Sequence, residues 1–272
     1  TINQYFSVPH LPAGYGSRPV VQDVSFSVGG GELRGVLGAN GCGKTTLLKA
    51  VCGILPHQGS CQLDGRPLEP MTPRQLARHC SYIPQRSGIS IDISVLDVVL
   101  MGFNPWLGLL ERPTAEMRDK ACRALARVGL AGREQDNYLH LSEGQKQLCM
   151  LARTLTAGGS LLLLDEPESA LDFRYRYRML ELLRRWTGQK QRAAVVTLHD
   201  ASLALNYCDR LLILSQGRAS ALLTPAADSP EQMEKALSAV YGSISLARCK
   251  TRSGRTQLVM LKEEDPQEDC MP

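Results

Sequence analysis

Residues 38–45 of the chain, GANGCGKT, have the residue types and the spacing of a loop that binds phosphate groups. Glycines allow backbone N–H groups to turn toward phosphate oxygens, and a helix that begins inside the loop adds partial positive charge. Lys44 is placed to reach the β- and γ-phosphates of a nucleotide, and the Thr45 hydroxyl is placed to ligate Mg²⁺. A plain glycine-rich turn is the simpler alternative. The residues predicted to contact the nucleotide here are Gly38, Asn40, Gly41, Cys42, Gly43, Lys44, Thr45 and Thr46.

A pair of carboxylates follows a short apolar run at residues 161–164, where four leucines precede Asp165 and Glu166. A buried strand with this ending places its carboxylates at the carboxyl edge of a parallel sheet, where α/β proteins form their sites. Asp165 can join Thr45 in holding Mg²⁺, which leaves Glu166 to polarise an attacking water. Alone, the pair is also compatible with a solvated strand end. Together with the phosphate-binding loop, it predicts a site that hydrolyses a nucleotide.

Strands and helices alternate along most of the chain that must position these groups. Short apolar runs predict strands at residues 20–28, 33–37, 161–164 and 193–198. Apolar residues at helical spacing predict helices at residues 45–52, 114–128, 175–186 and 201–208. Runs that are apolar throughout suit parallel strands buried on both faces. The chain is therefore predicted to form an α/β sheet with a helical insertion in its middle.

Length and composition narrow the class of protein. The chain has 272 residues, of which 43% are hydrophobic and 21% charged, enough for one large domain or a core with a smaller lobe. A net charge of +4 is too weak to indicate a nucleic-acid partner. Nine cysteines without a CxxC pair indicate reduced thiols. Because residues 1–10 lack a secretion signal and no apolar run could span a bilayer, we expect a soluble, cytoplasmic protein that other chains hold at any membrane.

The segment LSEGQ at residues 141–145 resembles the signature motif of ATP-binding cassette (ABC) ATPases, usually written LSGGQ, with Glu143 in place of the first glycine. Ser142 is predicted to open a helix as its capping residue. With Gly144 and Gln145, it offers a hydroxyl and N–H groups to a phosphate that another subunit presents. The same residues would also cap an ordinary helix, but their place between the two phosphate motifs favours the signature.

The resemblance covers about residues 15–261 and implies roles for residues that would otherwise have none. Gln85 resembles the Q-loop residue that joins Mg²⁺ sensing to the helical insertion, and His199 resembles the switch histidine that contacts the γ-phosphate. Residues 169–172 resemble the D-loop, which meets its twin across a dimer. Tyr15 resembles the aromatic residue that stacks on adenine, although a tyrosine in a strand is an equally simple interpretation.

The fold implied by this resemblance is an α/β P-loop NTPase (RecA-like) core with an antiparallel β subdomain and an inserted α-helical subdomain. The ATP-binding core is predicted at residues 1–86 and 158–245. The helical signature subdomain is predicted at residues 87–157. A C-terminal strand and a flexible tail are predicted at residues 246–272.

Two further segments point to one branch of the family. Residues 95–102 (VLDVVLMG), and residues 237–242 (LSAVYG) followed by a short strand, are similar to importer ATPases that serve ferric siderophores, haem and cobalamin. This resemblance implies ATP and Mg²⁺ as cofactors, a two-fold dimer that closes on ATP, two transmembrane permease subunits and an external binding protein. It also implies no nucleic acid, and a location on the cytoplasmic face of the plasma (inner) membrane.

Two other functions remain as alternatives. The first is the ATPase subunit of an exporter, which only the importer-like segments disfavour. The second is a soluble ABC ATPase of DNA repair or translation. Such proteins usually carry a long coiled-coil insertion or two cassettes in one chain, and neither pattern is present in this sequence.

The helical insertion is expected to hold a groove, close to Gln85, for a short helix of a permease subunit. Packing within the lobe is an equally good interpretation of the apolar residues concerned. The candidate groove residues are Met101, Phe103, Pro105 and Trp106.

Four residues depart from the family pattern. Glu143 brings a carboxylate close to the expected nucleotide of a partner subunit, although it also complements the helix dipole. Glu168 stands where Thr or Ser is common, and Leu148 where Arg is common. Cys42 replaces a common Ala or Ser. We expect Lys44 and the helix N-terminus to lower the pKa of its thiol, so that alkylation blocks hydrolysis unless ATP is bound first.

Four histidines show no metal-ligand spacing and are given no role: His10, His57, His79 and His140.

Overall fold

The computed structural model describes residues 4–15, 18–169, 171–189 and 191–264. The strands are β1 (Gln4–Tyr15), β2 (Arg18–Gly29), β3 (Leu33–Leu37), β4 (Gln62–Leu63), β5 (Arg66–Pro67), β6 (Cys80–Ile83), β7 (Leu161–Asp165), β8 (Ala193–Thr197), β9 (Arg210–Ser215), β10 (Arg218–Leu223), β11 (Ile244–Lys250) and β12 (Thr256–Lys262). The helices are α1 (Lys44–Val51), α2 (Pro73–His79), α3 (Val95–Leu100), α4 (Ala115–Val128), α5 (Glu143–Ala157), α6 (Phe173–Thr187), α7 (Ala201–Tyr207) and α8 (Pro230–Tyr241). Among these described helices, none has both the length and the apolar character needed to cross a bilayer.

The centre of the main sheet is parallel. Strands β9, β3, β8, β7 and β6 lie side by side, and each neighbouring pair runs in the same direction. β3, β7 and β8 are buried at every position, which is why their sequences are apolar almost throughout instead of alternating. Asp165 at the end of β7 is in register with Thr197 at the end of β8. The polar residues that end these strands therefore meet at one edge of the sheet.

The other end of the sheet is largely antiparallel. β1 pairs with β2, β4 joins β1, and β5 joins β4. Buried side chains of this layer, such as Phe6 and Val24, form one apolar cluster with Leu47 of α1. Burying an apolar side chain of this size contributes about 1.5–3 kcal/mol, so the cluster holds α1 and the loop before it against the sheet. The predicted combination of an α/β core with an antiparallel part is confirmed.

Helices α3, α4 and α5 share one apolar core that includes Val98, Leu125 and Leu148. Ser142 caps α5: its side chain accepts from the N–H of Gln145, and the Gln145 side chain accepts from the N–H of Ser142. This reciprocal capping box satisfies two of the N–H groups that a helix start leaves free. It confirms that Ser142 opens a helix, and Leu148 proves to be a core residue. The subdomain boundaries stay a prediction.

The chain after α8 forms an antiparallel hairpin of β11 and β12. The sequence predicts a C-terminal strand and a flexible tail within residues 246–272, and the structure has two strands after α8, the second of which ends at Lys262. Asn206 of α7 ties the hairpin down, since its Oδ1 accepts from the N–H of Leu258 at 2.9 Å and its Nδ2 donates to the Leu258 carbonyl at 2.7 Å. Residues 265–272 of the predicted tail lie outside the described residues.

Candidate nucleotide site

The loop between β3 and α1 takes its shape from glycines. Gly43 directly precedes α1 and has a φ of 107°, in the left-handed region that other residues rarely adopt. Gly38 has no room for a side chain, because a Cβ there would collide with the carbonyl oxygen of Leu214 and with Sγ of Cys42. Side chains at these two positions would force the loop away from the N-terminus of α1, where a phosphate is favoured.

Lys44, the first residue of α1, is buried at the base of this loop. Its Nζ donates to the carbonyl oxygens of Gly38 at 2.8 Å and Ala39 at 3.3 Å. It also lies 3.5 Å from Oε1 of Glu166. A buried ammonium needs such partners because an unpaired interior charge is costly. Phosphate oxygens make stronger, charge-assisted hydrogen bonds than the two neutral carbonyls do, so they can take the carbonyls' place.

The carboxylate of Asp165 is fixed by three hydroxyl groups. Its Oδ1 accepts from Oγ1 of Thr45 at 3.1 Å and from Oγ1 of Thr197 at 3.0 Å, and its Oδ2 accepts from the hydroxyl of Tyr82 at 3.2 Å. Burial, and after it the charge of Asp165, raise the pKa of Tyr82, so the phenol keeps the proton that it donates. Sequence reasoning missed Tyr82 and Thr197. Both could have been found from their positions near the ends of β6 and β8, the strands beside β7.

Glu166 is the point at which the predicted catalytic residues converge. Its Oε2 lies 2.6 Å from Nε2 of His199 and accepts from Nε2 of Gln85 at 3.2 Å, while its Oε1 faces Lys44. Its backbone has a φ of 45°, unusual for a residue other than glycine. The backbone N–H donates to Oγ1 of Thr197 at 2.8 Å, which holds this turn in place. The carboxylate is thus aimed toward Lys44 and the phosphate-binding loop.

Glu168 anchors the backbone of His199. Its Oε1 accepts from the His199 N–H at 2.8 Å, and the side chain is only 2% exposed. Burial raises the pKa of Glu168, with the His199 N–H opposing that effect. Glu168, which departs from the family pattern, therefore positions the backbone of the predicted switch histidine. Sequence reasoning missed this contact because the two residues follow different strands.

Gln85 connects this cluster to the helical part of the molecule. Beyond its bond to Glu166, its Nε2 donates to Oγ of Ser169 at 3.1 Å. Gln147 of α5 holds the backbone of the same residue, since its Nε2 donates to the Gln85 carbonyl at 2.7 Å. A direct hydrogen bond therefore joins α5 to Gln85. Sequence reasoning did not identify Gln147, which the periodicity of α5 places on its buried face.

The predicted D-loop continues from the acidic pair into α6. Asp172 caps that helix with its side chain, and Leu171 is buried. Ala170 lies outside the described residues. The contact of this segment with a second copy stays a prediction.

The signature residues contact α6 and their own helix. A Cβ on Gly144 would come within 2.9 Å of the Tyr175 ring, so the close approach of α5 and α6 requires glycine at this position. The Glu143 carboxylate points outward and forms an ion pair with Lys146 at 2.8 Å, one turn along α5. The charge that Glu143 adds to the motif is therefore largely balanced within the chain.

Tyr15 ends β1 with its ring 55% exposed. It lines a shallow cavity of about 570 Å³ together with Arg18, Pro56 and His57. An exposed ring in a shallow depression can stack on a flat heterocycle. His57, for which the sequence predicts no role, thus borders the candidate adenine position.

Cys42 does not have the lowered pKa that the sequence predicts. Its side chain is 7% exposed, and burial raises the pKa of the thiol more strongly than nearby Lys44 lowers it. The thiol stays protonated and shielded at neutral pH, so the reason for expecting its rapid alkylation is removed.

The four candidate groove residues line two cavities, two residues in each. Met101 and Pro105 line a cavity of about 370 Å³ that also contains Tyr82. Phe103, which is mostly buried, and Trp106 line the second cavity, and Nε1 of Trp106 donates to the Ala157 carbonyl at 2.8 Å. Arg78 contacts both the Pro105 carbonyl and the Trp106 ring. A groove for a permease helix stays a prediction.

The structure thus brings one group of predicted site residues together and places the others elsewhere. The residues that meet around the loop and the sheet edge are Gly38, Lys44, Thr45, Gln85, Asp165, Glu166 and His199. Asn40 and Gly41 are exposed in the loop, and Thr46 is buried in the first turn of α1.

Comparison with known proteins gives a consistent result. The family model described as "ABC transporter" matches residues 21–169. A Pseudomonas putida protein named hemin import ATP-binding protein HmuV is 40% identical over 90% of this chain and 95% of its own length. A protein of the same name from Vibrio parahaemolyticus is 35% identical over 85% of this chain and 88% of its own length. A solved structure described as a metal-chelate type ABC transporter in an inward-facing conformation matches 96% of this chain and 99% of its own, with 26% identity and a TM-score of 0.81.

Proposed function

This chain belongs to the ABC transporter family and is an ATP-hydrolysing subunit of the importer type, and we propose that it powers the uptake of haem or a closely similar iron chelate. The observation that carries the proposal is the 40% identity to a hemin import subunit along nearly the whole of both chains. A structural neighbour described as a metal-chelate type transporter supports the same class of cargo.

For hydrolysis, we propose that the loop and Lys44 hold the phosphates. Thr45 and Asp165 present two oxygens 3.1 Å apart, a hard donor set that suits Mg²⁺. Gln85 would be a further ligand of the ion. The ion would balance the charge of the phosphates. Glu166 then orients the attacking water and accepts its proton.

His199 is proposed to contact the γ-phosphate. Its Nε2 already faces Glu166 at 2.6 Å, so one imidazole can bridge the base and the reacting phosphate. Glu168 holds the His199 backbone at 2.8 Å and thereby fixes the point from which the ring extends. The exposed ring of Tyr15 would stack on adenine.

We propose that two copies form a two-fold dimer with ATP between them. Ser142, Gly144 and Gln145 present a capped helix start, which is a favourable place for a phosphate. Their described contacts are with α5 itself and with α6. A second copy would bring this helix start to the phosphate-binding loop of the first, because two-fold symmetry pairs unlike surfaces reciprocally.

Membrane partners follow from the importer class, whose ATP-binding subunits work with permease components. Two permease subunits and an external binding protein complete the proposed complex, which places this chain on the cytoplasmic face of the plasma (inner) membrane. The link from Gln147 to Gln85 supports a route by which permease contact at the helical part reaches the catalytic cluster.

The test is ATP hydrolysis by the complete transporter. The chain is purified from detergent-solubilised membranes with its copurifying permease and reconstituted in nanodiscs. Haem with its binding protein should stimulate hydrolysis several-fold, and ferric siderophore or cobalamin should not. Stimulation by cobalamin or siderophore alone would contradict the cargo, and recovery only with ribosomal or DNA-bound proteins would contradict the transporter.

A further inference from the structure

Outside the nucleotide site, His57, Cys61 and Glu69 bring three different donor atoms together. Nε2 of His57 lies 3.3 Å from Oε1 of Glu69 and 4.0 Å from Sγ of Cys61, and the three ligand atoms all lie within 4.8 Å of one another. The sequence gives His57 no metal-ligand spacing. That prediction overlooks this cluster because β4 and β5 fold back as a hairpin and carry Glu69 to the other two residues.

The distances from His57 to the other two ligands fit a small tetrahedral cation. Zinc lies about 2.0–2.1 Å from imidazole nitrogen and about 2.3 Å from thiolate sulfur, which puts two ligand atoms of a tetrahedral site about 3.5 Å apart. The observed 3.3 Å and 4.0 Å lie on either side of that value. Sulfur disfavours Mg²⁺ and Ca²⁺, whereas nitrogen, sulfur and carboxylate oxygen together suit Zn²⁺ with one position left for water.

The cluster is also held in shape by hydrogen bonds around it. The backbone N–H of Cys61 donates to Oε1 of Glu69, and Oγ of Ser60 donates to Oε2 at 3.1 Å. The N–H of Gln58 donates to the Pro12 carbonyl at 3.3 Å, which fixes the loop to β1. Outer bonds of this kind orient metal-binding carboxylates, so little rearrangement is needed for an ion to enter.

The three ligands differ in how far they are exposed to solvent. Cys61 is 1% exposed. The side chains of His57 and Glu69 are 10% and 29% exposed, and both line a cavity of about 500 Å³. An ion can therefore reach His57 and Glu69 through that cavity, and its binding to Cys61 releases the thiol proton.

We propose that His57, Cys61 and Glu69 bind one Zn²⁺ ion, with water as the fourth ligand. The ion is structural: it joins the loop after α1 to the β4–β5 hairpin and takes no part in hydrolysis. Because His57 also lines the cavity that contains Tyr15, the ion would stiffen one wall of the candidate adenine position.

Metal titration of the full chain, in buffer that contains neither nucleotide nor Mg²⁺, tests this proposal. The protein is prepared without a histidine tag, stripped with a chelator, and titrated first with Co²⁺ as a spectroscopic probe and then with Zn²⁺. We expect one equivalent of Co²⁺ to give tetrahedral bands and a thiolate-to-cobalt charge-transfer band, and one equivalent of Zn²⁺ to abolish both. Replacing Cys61→Ser should remove the charge-transfer band and lower Zn²⁺ affinity at least about 100-fold, more than an outer-shell change costs.

Two further variants make the result specific. Glu69→Gln, at a partly exposed site, should keep the charge-transfer band while lowering Zn²⁺ affinity at least about tenfold. Cys249→Ser, at an exposed cysteine of β11, should bind like the parent chain. Cooperative thermal unfolding of each metal-free variant checks that it folds. No charge-transfer band in the parent chain would overturn the proposal, and so would a band that survives Cys61→Ser but disappears in Cys52→Ser or Cys80→Ser.

Discussion

The carboxyl edge of the parallel sheet and the start of α5 both carry polar groups. Only at the sheet edge do the described side chains supply hydrogen-bond partners for the central groups. At the sheet edge, Asp165 and Glu166 are held by hydroxyl, amide and imidazole groups from three neighbouring segments. At the start of α5, Ser142 and Gln145 cap each other, while the N–H groups between them have no partner within the helix.

This difference indicates where the chain depends on another molecule. A network that is satisfied internally is rigid and ready to receive a phosphate that replaces one or two weak partners. A helix start with free N–H groups and partial positive charge gains its partner only on contact with an anion. We therefore propose that the sheet edge forms one half of the ATP site, and that the start of α5 of a second copy supplies the other half.

Replacing Glu166 by Gln breaks the sheet-edge network at its centre and has the largest expected effect. General-base catalysis contributes about 10²–10⁴ in rate, so phosphate release should fall by about that factor. ATP binding should persist because Lys44 and the loop are unchanged, and closed dimers should accumulate. Phosphate release and gel filtration with ATP measure the two effects. Glu181→Gln, on the exposed face of α6, is the matched control, and near-normal turnover of Glu166→Gln would remove Glu166 as the base.

Replacing Thr197 by Val removes the hydroxyl that joins Asp165 to the Glu166 backbone. A buried N–H left without an acceptor costs about 1–3 kcal/mol, and we expect the free energy of unfolding to fall by that amount. Hydrolysis should fall about tenfold or more because both carboxylates lose their shared support. Thr187→Val removes a buried hydroxyl on α6 away from the site and should lower stability without this loss of turnover. Unchanged turnover in Thr197→Val would contradict the shared support.

Glu168 separates anchoring from charge. Glu168→Leu removes the acceptor of the His199 N–H, and hydrolysis should fall about tenfold, as expected for the loss of one hydrogen bond. Glu168→Gln keeps an acceptor oxygen, so its turnover should stay within about twofold of the parent. Equal losses in both variants would show that the carboxylate charge is needed, and the anchoring role would be wrong.

The same pair of variants has a pH signature. Burial raises the pKa of Glu168, so the folded chain keeps this proton at pH values where the unfolded chain has lost it. The folded state then binds more protons, and the Glu168 contribution makes stability fall as pH rises from about 4.3 through the raised pKa. Denaturant unfolding across this range should show a smaller fall in Glu168→Gln, and an unchanged profile would contradict the assignment.

Glu143 lies at the start of α5, and replacing it has the smallest expected effect. Glu143→Gly restores the usual family residue and removes a carboxylate that Lys146 already balances at 2.8 Å. We expect the ATP hydrolysis rate of the dimer to rise by no more than about threefold, while α5 loses about 0.3–1 kcal/mol of dipole stabilisation. A larger increase would show that Glu143 acts directly on the partner's nucleotide.

Much of the fold is readable from the sequence because the buried parallel strands are short, apolar and ended by polar residues. Residues 33–37 and 193–197 lie in strands as predicted, and the Ser142 cap follows from local residue types alone. The second strand of the C-terminal hairpin was not predicted, since its half-buried residues do not alternate clearly.

The site was predictable where one segment carries the chemistry and not where side chains meet across segments. Sequence motifs identify Lys44 and Asp165. The contacts of Thr197 and Gln147 depend on strand register and helix packing, which the sequence does not show. The pKa of Cys42 was mispredicted because the sequence shows the nearby Lys44 but not the burial that outweighs it.

The central claim is that each ATP site is built from two copies, and mixing two inactive variants tests it most directly. Lys44→Ala damages the phosphate-binding half. Ser142→Asp keeps a good helix cap but turns a negative charge toward the partner's phosphate, with Ser142→Asn as its uncharged control. Each variant alone should be inactive. A one-to-one mixture should recover up to about a quarter of the parent rate, because half of the dimers are mixed and each mixed dimer has one intact site. No recovery on mixing would contradict a site shared between two copies.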